Sequence, residues 1–367
     1  MKPHNSFLGF RSALGSLRCL ALLTGSLVAL MAPAQLSAAE KPVLTVLNWS
    51  EYIDTEVYRQ FEKEFNCIVQ ETNFETPEEA LNKMVAGGSR TFDVCAVGGG
   101  FKMQAAIAQG VLKKLDHSKL PNLKNLSPLF QNPAYDPGNA YSIPYQWGTT
   151  GVLIRSDLLP KDGFSMSALF DPKKELGRFI LIDSTIETIG YANLYRGKPV
   201  NSVELTDLKA AIKLLTAAKK SKKFMGFEGG VGGCSKVVAG TADYAIVYNG
   251  DAGRVIEENP GRFTYVIPNE GAPMWVDQLC IAKDAPNAEL AYAFINYVLD
   301  AKIGAQISNW TKYATPNQAA KEFILPEDLK NTAIYPDAAT EARLHLLEGV
   351  GEKEPLRLEA WTAIKAE

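Results

Sequence analysis

Histidine is scarce in this chain of 367 residues. There are three: His4 in the first segment, His117 in a lysine-rich stretch and His345 near the end. No Gly-x-Ser-x-Gly elbow and no phosphate-binding P-loop occurs. The common nucleophilic hydrolases and nucleotide-driven enzymes are therefore poor fits. Cysteine is sparse too, with five residues and no C-x-x-C pair, which argues against a zinc site. Cys67 and Cys95 sit in apolar, strand-like runs and read as buried thiols; a Cys234–Cys280 bridge stays open if the compartment is oxidising. A basic excess is also missing. The net charge is -3, which excludes the electrostatic footprint of a nucleic-acid binder.

Long apolar runs are limited to one, at residues 19–31. Lys2, Arg11 and Arg18 precede it, and Ser37 and Ala39 come after it at cleavage spacing. This is the pattern of a secretory signal peptide over residues 1–39, too short for a membrane span. A periplasmic chain beginning near Glu40 is expected, long enough for two lobes. The composition of the full sequence, 46% hydrophobic and 22% charged, is that of a globular protein.

From Glu40 onward the chain alternates strand and helix. "VLTVLNW" reads as a strand, after which Asp54 caps a helix with Val57, Phe61 and Phe65 on one face. "CIVQET" is a strand. "TPEEALNKMVAGG" carries a capping box (Thr76, Glu79), a first-turn Pro77 and a Gly87–Gly88 stop. "FDVCAVGGG" is a buried strand running into glycines, with a helix after it from about Phe101. "YSIPYQWGTTGVLIR" is extended, and its Gly-Thr-Thr-Gly step suits a crossover between lobes. The alternation then repeats with "RFILID", helices near 184–195 and 203–218, "DYAIVYN", a helix near 251–258, two extended runs in "FTYVIPNEGAPMWVDQLCIA", and a helical tail. Such repetition predicts an α/β fold around a mostly parallel sheet. "GFEGGVGGC" reads as a glycine run without dinucleotide spacing.

Ligands of open α/β sheets bind beyond the carboxyl ends of the strands. The residues offered there are Trp49, Glu51, Tyr52, Glu187, Tyr248, Asp251, Trp275, Asp277 and Tyr313. They are acids interleaved with aromatics, with no Arg or Lys among them. Aromatic faces attract cations and pack on methylenes, and a buried ammonium must be paired. Acids at separated places, joined by aromatic walls, match a linear ligand with separated amines. Several of these residues have simpler readings: Glu51 as an acid at a helix start, Asp251 as an N-cap, Trp49 as core. Asp277 has the weakest alternative, because it lies inside an apolar extended run.

The chain resembles the periplasmic polyamine-binding proteins, the spermidine- and putrescine-binding subunits of ABC importers. The resemblance spans the chain after residue 39. "LNWSEYI", "FDV", "IPYQWGTTG", "NGD", "IPNEGAPMWVDQLCIA" and "YATPNQAA" carry it, in order and spacing. It implies a two-lobe periplasmic binding protein fold of type II-like form that closes about a hinge, with lobes at 40–149 plus 273–322 and 150–272 plus 323–367. It implies a monomer without cofactor or metal, and without catalysis. The expected function is capture of a diamine or polyamine for an inner-membrane ABC permease. Another amine or amine conjugate, a sensory role, or a secreted hydrolase are the alternatives. By position, Trp49, Ser50, Glu51 and Tyr52 match the family's first ligand segment. Glu187, Asp251 and Asp277 match its amine-binding acids, and Tyr248, Trp275 and Tyr313 its aromatics. The departures are Gly98–Gly100 and "GFEGGVGGCS", where the family carries contact side chains, and Ser184 in place of an acid. They imply either a smaller amine, closer to putrescine, or a larger or modified ligand admitted by the glycines.

Overall fold

The computed structural model describes residues 40–74, 77–86 and 90–366. The leader reading, Thr76 of the capping box and the Gly87–Gly88 stop lie outside these residues. Among the described residues ten strands form: β1 (Val43–Trp49), β2 (Ile68–Phe74), β3 (Val94–Gly98), β4 (Ser142–Arg155), β5 (Phe179–Ile182), β6 (Phe224–Glu228), β7 (Tyr244–Tyr248), β8 (Phe263–Val266), β9 (Ala272–Ile281) and β10 (Leu344–Leu346). Their order is β2-β1-β3-β9-β4-β7-β5-β6, with β10 beside β9 and β8 beside β4.

The sheet is mixed, which corrects the expectation of a mostly parallel one. β1 is parallel to β2 and β3, and β5 is parallel to β6 and β7. These two parallel sets are joined by β4 and β9, which pair antiparallel with each other, with β3 and with β7. The first part of β4, from Ser142 to Thr149, pairs with β9; from Thr150 onward it pairs with β7. The Gly148–Gly151 step is where the strand passes from one half of the sheet to the other.

Local chemistry explains the ends of these elements. Asp54 caps the helix Thr55–Phe65 by accepting from Glu56 N at 2.9 Å. Val57 and Phe61 on its inner face are fully buried. Phe65 continues that face at its more exposed end, stacking on Phe61 at 4.4 Å and meeting the same Tyr297 ring. Asp93, before β3, accepts from Thr45 N (2.8 Å), Thr45 Oγ1 (2.9 Å) and Asn287 N (2.6 Å). Asp243, before β7, accepts from Arg178 N at 2.7 Å and pairs with Arg155 and Arg178. Each of these acids pins one strand to its neighbour.

The core divides into two halves. Leu44, Phe61, Val94, Leu279 and Phe294 belong to the first. Val152, Phe179 and Tyr244 lie on one face of the second, and Leu153, Ile180 and Val247 on the opposite face, as strand alternation dictates. A fully buried side chain of this size contributes about 1.5–3 kcal/mol. All four cysteines among the described residues are free and buried. The Cys234–Cys280 bridge is therefore absent, because the two belong to different cores: Cys234 packs with Val247, and Cys280 faces Cys95 across β3 and β9. No described helix is long and apolar enough to cross a membrane.

Candidate functional site

The site lies where the two halves of the sheet meet. β1 ends at Trp49, and the chain reverses through Ser50 and Glu51, both exposed. Glu51 adopts φ 53, a left-handed conformation uncommon for a non-glycine residue. The turn carries Tyr52 back into the protein, where it is buried and donates to Asp277 Oδ2 at 2.9 Å. A β-bulge between Pro144 and Gln146 fixes this arrangement. Tyr145 and Gln146, adjacent in sequence, both donate to the Tyr52 carbonyl, at 2.8 and 2.9 Å. Thr311 in turn holds Gln146 Oε1 at 2.6 Å. Bulges often serve to aim side chains beside functional sites. Tyr145, Gln146 and Thr311 were not singled out from sequence; a tyrosine and a glutamine inside an otherwise apolar strand were the available signal.

The rings form a connected series. Tyr52 and Tyr313 have centroids 5.5 Å apart, Tyr313 and Trp275 5.1 Å, and Trp275 and Tyr248 5.9 Å, all edge-on. Two glycines make room for them. A Cβ on Gly250 would lie 2.4 Å from Tyr313, and one on Gly148 2.5 Å from Trp275. This explains the glycine of "NGD" and the first glycine of "WGTTG". Gly250→Ala is expected to cost about 1–3 kcal/mol of stability by overpacking and to weaken ligand binding by displacing Tyr313. A melting temperature equal to wild type would refute this contact. Trp49 stands apart from the series and packs on Phe74 at 4.4 Å.

Two buried acids come from the two halves, near enough for the charge of Asp277 to act on Glu187. Asp277 lies in β9 between Gly98 of β3 and Gln146 of β4. Glu187 lies in the first turn of the helix Thr185–Tyr195. Both are buried, and among the described residues neither joins an ion pair with a Lys, Arg or His. Burial pushes Asp277 up to about 7, offset in part by the Tyr52 hydroxyl and the Trp49 indole. Burial likewise pushes Glu187 up to about 7. Its own helix N–H and the Tyr248 and Thr150 hydroxyls offset part of that rise, and the charge of Asp277 adds to it.

The remaining acids behave differently. Asp251 is buried in the first turn of the helix Asn249–Glu258, inside the helix rather than at its N-cap position, which Tyr248 occupies without a side-chain cap bond. Arg254, one turn later, donates to Asp251 Oδ1 at 2.8 Å and lies 3.5 Å from Glu51 Oε2. Burial pushes Asp251 up to about 6 despite this partner. The reading that no basic residue joins the strand-end acids is thus corrected. Arg254 links two of them, and the three-residue helical spacing from Asp251 was the signal that could have found it.

Two glycines of the glycine runs are closed to a side chain, whereas a Cβ on Gly229 would meet open space. Gly100 has φ 63, and a Cβ there would lie 2.9 Å from the Leu347 carbonyl. A Cβ on Gly230 would lie 2.3 Å from Asp251 Oδ2. "GFEGGVGGC" forms the end of β6 and then most of a helix, Gly230–Val238. The space these two side chains would occupy is filled by neighbouring protein. Among the described residues no cluster of histidine, cysteine and acid side chains suits a metal ion.

Residues 56–337 match the family model for bacterial extracellular solute-binding proteins. The chain is 33% identical over 356 residues to a putrescine/cadaverine-binding protein of Pseudomonas aeruginosa, covering 94% of this chain and 98% of that one. It is 29% identical over 346 residues to the spermidine/putrescine-binding periplasmic protein of Salmonella typhimurium, covering 94% and 97%. Among solved structures it is similar to a spermidine/putrescine ABC transporter substrate-binding protein of Streptococcus pneumoniae. That match has a TM-score of 0.76 and 27% identity, covering 88% of this chain and 100% of the other.

Proposed function

The chain belongs to the bacterial extracellular solute-binding proteins, and on that footing we propose that it captures a linear amine of the diamine or polyamine class in the periplasm and delivers it to an inner-membrane ABC permease. One observation carries the reading. Asp277 and Glu187, buried and contributed by the two halves of the protein, join no ion pair with a cationic side chain among the described residues. A buried carboxylate without a counter-charge is costly, and a ligand ammonium supplies that charge. The rings of Tyr52, Tyr313, Trp275 and Tyr248 give it aromatic faces and pack on the methylenes next to it. An anionic ligand would meet two acids.

In this proposal Asp277 and Glu187 hold the ammonium. Ser50 and Trp49 border the site from the first half, and Glu51 and Asp251 act through Arg254. The lobes at 40–149 plus 273–322 and 150–272 plus 323–367 close about the β4 and β9 crossings. The names of the relatives support the amine class. The function is binding, not turnover.

Calorimetry and thermal melting with putrescine, cadaverine, spermidine and spermine test the proposal. At least one is expected to release heat and raise the melting temperature, and mass spectrometry is expected to recover it unchanged. Silence from all four would overturn the amine assignment, and a chemically altered ligand would overturn the binding-only reading.

A further inference from the structure

We infer that Glu51 and Lys312 are positioning residues of the amine site: from two turns of the first half they grip Arg254 and Glu257 on one face of the helix Asn249–Glu258, and so latch the second half over a bound ligand. This rests on the amine-capture reading and names what holds its closed form.

The backbone singles these two residues out. Among the described residues, the non-glycine positions with left-handed backbone are Asn66, Asn132, Asn139, Glu51 and Lys312. Asparagine is one of the few side chains that visit this region readily. Glutamate and lysine are not, and glycine would suit either turn at less cost. The two exceptions share a position. Glu51 directly precedes Tyr52 and Lys312 directly precedes Tyr313, the two rings whose centroids lie 5.5 Å apart. Both turns belong to the first half. Glu51 follows β1. Lys312 ends the helix Ala301–Thr311, where its N–H donates to the Ser308 carbonyl at 2.9 Å. Gln306 of that helix donates to Asp54 Oδ2 at 2.7 Å, and Ser308 Oγ donates to the Tyr313 carbonyl at 2.6 Å.

The helix Asn249–Glu258 presents two faces. Ala252, Val255 and Ile256 pack into the core of the second half. The other face, at three- and four-residue spacing, carries Gly250, Gly253, Arg254 and Glu257, and it meets the two turns. A Cβ on Gly250 would lie 2.4 Å from Tyr313, and one on Gly253 3.6 Å from Lys312 Cβ. Arg254 Nη1 lies 3.5 Å from Glu51 Oε2, and Glu257 Oε1 lies 3.1 Å from Lys312 Nζ. The helix thus offers a cation and then an anion, and the turns answer with an anion and a cation. A shifted docking would set like charges together.

Each cation is also anchored elsewhere. Arg254 Nη2 donates to Asp251 of its own helix at 2.8 Å, and Lys312 Nζ donates to the buried Asp328 at 3.0 Å. Each half therefore holds its cation in place before it meets the other, which lowers the ordering cost of the contact. The acids they reach for are solvated: the side chains of Glu51 and Glu257 are 72% and 61% exposed. Parting the halves strands no buried charge, so these pairs can open and close with the ligand.

Stopped-flow binding tests this with putrescine, cadaverine, spermidine or spermine, whichever binds most tightly. Glu51→Gln and Glu257→Gln are each expected to speed amine release about threefold, the scale of an exposed ion pair, and together about tenfold. The association rate is expected to change less than the release rate, and the melting temperature of the ligand-free protein to stay at its wild-type value. The effect of Glu51→Gln is expected to vanish in an Arg254→Gln background, and that of Glu257→Gln in a Lys312→Met background. Release at the wild-type rate from both single variants overturns the inference and leaves amine capture standing. An effect of Glu51→Gln that persists without Arg254 means that Glu51 meets the ligand itself, and overturns it as well. Silence of the wild type toward all four amines overturns both readings together.

Discussion

Exchanging Asp277 for asparagine is expected to weaken amine binding about a hundredfold, close to 2.8 kcal/mol. The side chain keeps its shape, and its oxygen can still accept from Tyr52, which donates to Asp277 at 2.9 Å in the native protein. What goes is the charge. Removing one partner of a buried ion pair leaves the other uncompensated, at a cost of about 3–5 kcal/mol. The amide oxygen returns part of that by accepting from the ammonium, and Glu187, which feels the charge of Asp277, remains. Calorimetry with the tightest-binding amine reads the effect directly. An affinity within threefold of wild type would remove Asp277 from the site. Tyr52→Phe is the natural control, since it removes a hydrogen bond but no charge, and it should cost far less than Asp277→Asn.

Amine affinity is expected to rise with pH between about 5.5 and 8, by as much as tenfold per pH unit for each proton released. Burial holds Asp277 and Glu187 up at about 7 and Asp251 at about 6. Below those values the acids are largely protonated, and a bound ammonium must drive their protons off. The stability of the ligand-free protein carries the opposite sign. These folded-state values lie above the unfolded ones, near 4. The folded state therefore binds more protons between pH 4 and 7, and stability falls as pH rises through that window. Acids held low in the fold, such as Asp243 beside Arg178 and Asp207 beside Ser202, lose stability only as pH falls below about 4, outside this range. Melting curves should thus show the ligand-free protein softening toward pH 8 while the shift caused by ligand grows. A ligand-induced shift that stays flat across the range would mean that Asp277 and Glu187 do not face the ammonium.

Much of the secondary structure was legible because its causes are local. The alternation in "VLTVLNW", the Asp54 cap and the apolar run "DYAIV" each fall within a few residues, and each became the element expected. β6 and the helix after it escaped, because glycines that lower helix propensity are there for packing: the Gly230 position is closed to a side chain by Asp251. The direction of β4 and β9 escaped as well. Direction depends on how the chain returns between the halves, which no short window records.

For the candidate site, composition and position were enough to nominate acids and rings, Asp277 foremost, since a carboxylate in an apolar strand demands a reason. Tertiary structure alone decided how those charges are distributed. Tyr52 and Asp277 stand 225 residues apart in the chain and meet across a strand register. Arg254, unremarkable in its helix, reaches Asp251 on its own element and Glu51 from the other half. An acid's identity is written in the chain, whereas its counter-charge depends on which side chains folding brings within a few ångströms. That is why the sequence names the acids, and only the fold shows which of them has an arginine beside it.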